Sequence, residues 1–216
     1  MLLSDDDLFR QAALIGGEWI ERADMEVVNP ATGKPMGTMP NCTVDEAYAS
    51  INAAEKAQKA WKAKTNLERA NLLMAWYELM LKHADDLAMI LTCEQGKPLS
   101  EAKGEVLYGA SFVRWFAEEA RRINGRIIPS PMPGQKVFSM KEPVGVCAII
   151  TPWNFPNAMI TRKVAPGLAA GCTMVVKPSD FTPYSALALG VLAERAGIPK
   201  GCLLYTSDAA DDLTRV

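Results

Sequence analysis

Histidine is nearly missing from this chain: His83 is the single one in 216 residues. A HExxH zinc site therefore cannot be assembled from it. Cysteine is sparse and unpaired. Cys42, Cys93, Cys147, Cys172 and Cys202 are scattered, odd in number and never in a CxxC pair. That pattern argues against a zinc site and against a disulfide framework, and for reduced thiols; no metal is expected. No run approaches the ~20 apolar residues of a membrane span. The opening MLLSDDDLFRQ is acidic where a signal peptide carries a basic start and an apolar stretch, so the expectation is a cytoplasmic protein without a membrane partner. Positive charge is not in excess either: 23 Lys and Arg against 25 Asp and Glu give a net charge of −2. No basic stripe stands ready for nucleic acid. The GxGxxG fingerprint, the P-loop and GxSxG are absent as well.

What is present is an ordinary globular composition, 49% apolar and 22% charged, with length for one large domain or two small ones. Leu14-Ile15-Gly16-Gly17-Glu18-Trp19 reads as a tight hairpin, because paired glycines supply the positive φ that such a turn needs. Asn29–Lys34 is a second turn, after a strand-like Met25–Val28. Thr43-Val44-Asp45-Glu46 and Thr65-Asn66-Leu67-Glu68 are capping boxes. Each opens a run with apolar residues at helical spacing. A third helix is expected over Ala84–Gln95, stopped by Gly96, and a fourth from about Pro98 to Arg122. His83, beside Asp85 and Asp86, reads as a surface residue. Arg126–Ile128 and Lys136–Met140 can pair as a hairpin around Pro129–Gly134.

At Pro143 the texture changes. Val144–Ile150 is continuously apolar, the pattern of a strand buried on both faces. Residues 151–156 break it, and 157–170 read as a helix. Thr173–Val176 is a second short strand, and 183–196 a second helix. Strand, helix, strand, helix at this spacing predicts a parallel sheet. Ligands bind such sheets beyond the carboxyl ends of the strands, which here means loops 151–156 and 177–182. Cys202–Tyr205 could begin a third strand. Ser207–Asp212 is acidic and has no hydrophobic face to pack.

Several short segments carry more information than their spacing. Thr151-Pro-Trp-Asn-Phe-Pro156 after Pro143-Val-Gly-Val146, Ala169-Ala-Gly-Cys172, Val176-Lys-Pro178, Glu94-Gln-Gly-Lys-Pro98 and Asn29-Pro-Ala-Thr-Gly33 occur in one order. Together they resemble the aldehyde dehydrogenase superfamily over residues 9–202. Met159–Lys163 and Phe112–Glu119 resemble its succinate-semialdehyde dehydrogenase branch most. The resemblance implies an α/β fold in three parts. Residues 1–142 form a helical segment with hairpin arms, 143–202 the first part of a Rossmann-like nucleotide-binding sheet, and 203–216 an unmatched tail expected to be disordered or artefactual. It implies oxidation of an aldehyde to a carboxylate with NAD or NADP, most plausibly succinate semialdehyde to succinate, and a homo-oligomer for the full-length enzyme. A glutarate-semialdehyde or neutral-aldehyde dehydrogenase and a non-catalytic interaction module on the same scaffold stay open.

The same resemblance assigns roles. Asn154 matches the family's donor to the oxyanion of the tetrahedral intermediate; a fixed neutral donor aimed where charge develops lowers the barrier selectively. Lys177 matches the residue on the adenosine ribose hydroxyls, and an ammonium suits such acceptors. Ile150, Thr151 and Trp153 match positions beside the cofactor, although Ile150 fits a core role equally. At Asp180, NAD-preferring relatives carry an acid that accepts from the ribose 2′-hydroxyl, and a carboxylate repels the 2′-phosphate of NADP. NAD is therefore favoured, with Ser179 as a partial substitute. Arg162, eight residues after Asn154, matches a residue for the distal carboxylate of the substrate, which a guanidinium fork takes bidentately. The family's nucleophilic Cys stands in a Gly-Gln-x-Cys context and its Glu in Glu-Leu-Gly-Gly. Neither context occurs in these residues. The resemblance thus implies the front portion of such an enzyme, without activity alone.

Overall fold

A computed structural model describes residues 1–206. The chain opens with a 3-10 turn, Asp6–Leu8, and a hairpin of β1 (Ala13–Ile15) and β2 (Glu18–Ile20). A second hairpin follows, β3 (Met25–Asn29) with β4 (Lys34–Met39). Four helices come next: α1 (Val44–Ala63), α2 (Asn66–Lys82), α3 (Ala84–Gln95) and α4 (Leu99–Ala120). A third hairpin, β5 (Arg126–Pro129) with β6 (Lys136–Ser139), leads to β7 (Val146–Ile150), α5 (Ala158–Ala170), β8 (Thr173–Lys177), α6 (Pro183–Arg195) and β9 (Leu203–Tyr205).

The two capping boxes form as their spacing predicts. Thr43 accepts from the Glu46 N–H while Glu46 reaches back to the Thr43 N–H, and Thr65 and Glu68 do the same. Each starts its helix by satisfying amides that have no partner within the helix. The third hairpin pairs Ile127 with Phe138 and is exposed on both strands. His83 is not a surface residue. It sits at the corner between α2 and α3, with 12% of its side chain exposed, 3.5 Å from Asp86 and 3.8 Å from Asp5.

β7, β8 and β9 run parallel in that order, the arrangement that the alternating strands and helices predict. Two features of the sheet differ from the sequence reading. Residues 203–205, placed by the motif boundaries in the tail, are a fully buried strand between β8 and β1, so the ordered chain reaches at least Thr206. Residues 207–216 lie outside the described residues. The N-terminal hairpin then joins the same sheet: β1 pairs antiparallel with β9 through Leu14 and Tyr205. The first 142 residues are thus not separate from the nucleotide-type sheet. The second difference concerns β7, expected to be buried on both faces. Only Ile149 of that strand is buried, and Ile150 is 66% exposed. Among the described residues β7 pairs with β8 alone.

The helical segment packs on the sheet helices through polar ends as well as apolar faces. At the C-terminus of α5, Trp61 Nε1 donates to the Leu168 carbonyl (3.2 Å), Arg69 Nε to that of Ala169 (3.0 Å) and Gln58 Nε2 to that of Gly171 (2.8 Å). α1 and α2 thus cap the C-terminus of α5, where the Leu168 carbonyl also accepts from the Gly171 N–H at 3.0 Å. Burial pushes the Arg69 guanidinium below its ordinary range, so its three carbonyl and amide acceptors hold a costly charge in place. Where α4 crosses the start of α5, Gly109 lets the backbones meet. A Cβ there would lie 2.3 Å from Asn157 Oδ1.

Candidate active site

Two loops emerge at the carboxyl ends of β7 and β8, and they are tied together at their roots. The Thr151 N–H donates to the Lys177 carbonyl (3.1 Å), and Thr151 is 5% exposed. Beyond it the chain turns outward, and Pro152, Trp153, Asn154 and Phe155 are all exposed. The Asn154 backbone carbonyl accepts from Lys97 Nζ at 3.2 Å. The residue as a whole is exposed.

On the other loop, Lys177 and Asp180 form an ion pair at 3.6 Å. Asp180 Oδ1 is buried and accepts no hydrogen bond. The Ser179 hydroxyl accepts from the Phe181 N–H (3.3 Å) and so holds the turn. Trp153 comes over from the first loop to line one cleft of about 560 Å³ with Asp180, Phe181, Thr182 and the α3 residues Glu94 and Gln95. A dinucleotide fits the chemistry of this cleft. A carboxylate oxygen that is ion-paired with a lysine but accepts no hydrogen bond suits ribose hydroxyls, and an exposed indole offers a flat apolar wall.

The structure thus gathers Trp153 and Asp180 into one cleft and links Thr151, Lys177 and Asp180 around its base. Ile150 pairs in register with Lys177, while Asn154 and Arg162 are not among the residues that line the cleft. Arg162 is exposed on α5, with its guanidinium 5.9 Å above the Phe112 ring and 3.6 Å from Met159 Sδ. Ser179 serves its own loop.

Two buried carboxylates were missed from sequence. Neither α5 nor α6 has a side-chain cap of its own. Glu105 of α4 accepts from the N–H groups of Asn157 (2.9 Å) and Ala158 (3.3 Å). Glu94 of α3 accepts from those of Tyr184 (2.7 Å) and Ser185 (2.8 Å). The helical segment therefore supplies a carboxyl acceptor at both helix N-termini, where amides have no partner within the helix. Burial pushes Glu94 up to about 8 against the pull of those amides. A signal did exist. Glu105 falls among Ala102, Val106, Gly109 and Val113 on the buried stripe of α4, where a carboxylate needs a partner. Glu94 opens the motif Glu94–Pro98, to which no chemistry was attached.

The five cysteines are free. Burial raises Cys93, Cys147 and Cys202, the last to about 12. These are thiols held protonated, not poised nucleophiles. Among the described residues no cluster of three His, Cys, Asp or Glu side chains is arranged to hold a metal ion. No helix among them is long and apolar enough to cross a membrane.

Comparison with known proteins meets this geometry from another side. The model of the aldehyde dehydrogenase family matches residues 19–215, which includes the stretch after Cys202 where no motif was recognised. The glutarate-semialdehyde dehydrogenase of Pseudomonas aeruginosa is 53% identical over 99% of this chain and 45% of its own length. The NADP(+) succinate-semialdehyde dehydrogenase of Escherichia coli is 55% identical over 97% of this chain and 44% of its own length. Among solved structures, an aldehyde dehydrogenase from Brucella melitensis biovar abortus superposes with a TM-score of 0.93 at 55% identity, over 96% of this chain and 44% of that one. The chain spans less than half the length of these relatives. With five motifs in order, the parallel sheet and the family match over most of its residues, this chain belongs to the aldehyde dehydrogenase family.

Proposed function

We propose that this chain supplies the oxyanion donor and the adenosine side of the cofactor cleft to an enzyme that oxidises an aldehyde bearing a distal carboxylate, succinate semialdehyde before glutarate semialdehyde. The reaction consumes the aldehyde, a water and an oxidised dinucleotide and yields the acid; the dinucleotide, when bound, takes up the hydride. The observation that carries the reading is Asn154. It stands exposed at the carboxyl end of β7, beside a cleft lined by Trp153 and Asp180. An amide fixed there can donate to an oxygen that turns negative only after attack. Lys177, Asp180, Thr151 and Trp153 hold the cofactor in this reading, with Ile150 at its margin. Arg162 receives the carboxylate. The family's nucleophile context is not in these residues, and the three cysteines with raised values are protonated at neutral pH; the chain alone does not turn over. The exposed hairpin of β5 and β6 serves a homo-oligomer of the complete enzyme.

The test is a hybrid in which this chain replaces the matching 44% of the E. coli relative. Turnover with succinate semialdehyde is expected. Arg162→Ala is expected to raise KM for that substrate about 10- to 100-fold, the worth of a hydrogen bond to a charged group, and to leave an uncharged aldehyde nearly unaffected. Equal loss on both aldehydes would refute the role of Arg162.

Cofactor choice follows from Asp180. A 2′-phosphate would lie against its carboxylate, and like charges in contact cost several kcal/mol. The hybrid is expected to favour NAD over NADP in kcat/KM by at least about tenfold, and Asp180→Ser to shift the ratio toward NADP. A clear NADP preference in the unsubstituted hybrid would show the pair Lys177 and Asp180 to be open to the phosphate after all.

A further inference from the structure

We propose that Lys97 and Glu105 are positioning residues that aim Asn154, a role that rests on the reading of Asn154 as the oxyanion donor. Lys97 stands at the corner between α3 and α4, fixed between a left-handed Gly96 and Pro98. Its ammonium does three things at once. It forms an ion pair with Glu105, donates to the Asn154 carbonyl at 3.2 Å, and lies 3.9 Å above the ring of Phe155. Glu105 divides its carboxylate: one oxygen takes Lys97, and the other takes the N–H groups of Asn157 and Ala158. Four of the five residues 154–158 are therefore held by one ion pair, and that pair is nearly dry, with 11% of the Lys97 and 1% of the Glu105 side chain exposed.

Asn154 needs this support. It lies in an irregular loop after β7, and its side chain has no hydrogen bond among the described residues that would orient it. The direction of its amide is set by its backbone, and its backbone carbonyl is set by Lys97. A donor works on a developing charge only within a few tenths of an ångström of the productive place. With 11% of its side chain exposed and its ammonium held by Glu105 and the Asn154 carbonyl, Lys97 acts on the reaction through the position of Asn154.

Lys97→Met keeps the length of the side chain and removes the ammonium. In the hybrid enzyme it is expected to lower kcat about 10- to 100-fold, the usual cost of a misplaced group, with KM for aldehyde and dinucleotide within about twofold. Lys97→Arg, which keeps the charge and the donors, is expected to recover most of the rate. Combined with Asn154→Ala, Lys97→Met is expected to add nothing. In the 216-residue chain itself, the backbone amides of Asn154, Phe155, Asn157 and Ala158 are expected to exchange with solvent faster in Lys97→Met while those of α2 and β8 keep their rates. An unchanged kcat, multiplying losses in the double variant, or unchanged exchange at 154–158 would overturn the proposal. Should Asn154→Ala by itself cost nothing, the oxyanion reading fails instead, and the exchange rates still judge the clamp.

Discussion

Asn154→Ala is expected to lower kcat of the hybrid enzyme by about 100- to 1,000-fold, the cost of removing one preorganised oxyanion donor. The loss belongs in kcat because the ground-state aldehyde carries little charge on its oxygen. A donor aimed at the place where charge develops binds the transition state better than the substrate. KM for the aldehyde is therefore expected to move little, and the dinucleotide, whose proposed partners do not include Asn154, is expected to bind nearly unchanged. Asn154→Asp should be at least as poor, since a carboxylate facing a developing oxyanion repels it. The geometry allows the role: the residue is exposed, at the carboxyl end of a parallel strand, with its main chain held from behind. Steady-state kinetics on the three enzymes decide the matter. A raised KM with kcat intact would make Asn154 a binding residue and not a stabiliser of the intermediate.

Glu94→Ala is expected to destabilise the 216-residue chain by about 2–5 kcal/mol, because it strips the acceptor from two buried N–H groups. Glu94 is 2% exposed and bonds the Tyr184 and Ser185 amides at 2.7 and 2.8 Å. α6 is buried along most of its length and has no cap of its own. The same burial gives the effect a pH signature. The carboxyl is pushed from its ordinary 4.5 up to about 8. Below 4.5 both folded and unfolded chains hold the proton. Between there and about 8 the unfolded chain releases it and the folded chain keeps it, so stability falls as pH rises through this window. Above it the folded carboxyl ionises and the loss stops growing. Urea unfolding followed by tryptophan fluorescence from pH 5 to 9 is expected to show this decline, and Glu94→Gln, which cannot titrate, is expected to flatten it. Parallel pH profiles for the two proteins would contradict the assignment.

The motif reading reached the family through residues whose chemistry it could name, and the structure adds the ones it could not. Glu105 and Lys97 stand 52 and 57 residues from their loop partners. Nothing in their neighbourhood announces which amide or carbonyl they will meet. Arg162 shows the converse. Its spacing from Asn154 allows a common face, yet the helix presents it to solvent above Phe112, where its proposed ligand would have to come to it.

The amino-acid sequence determines by itself what short-range physics can decide. Both capping boxes, the Gly16-Gly17 turn, the end of α3 at Gly96 and the strand–helix alternation after Pro143 lie where local spacing puts them, because each depends on atoms within about four residues. The tertiary structure alone decided that β1 joins the sheet against β9 and that α5 and α6 borrow their caps from α4 and α3. Those outcomes turn on which buried polar group finds a partner when helices pack. A buried charge or amide must be satisfied by whatever the fold brings near, and proximity across 50 to 90 residues is not written in any local period.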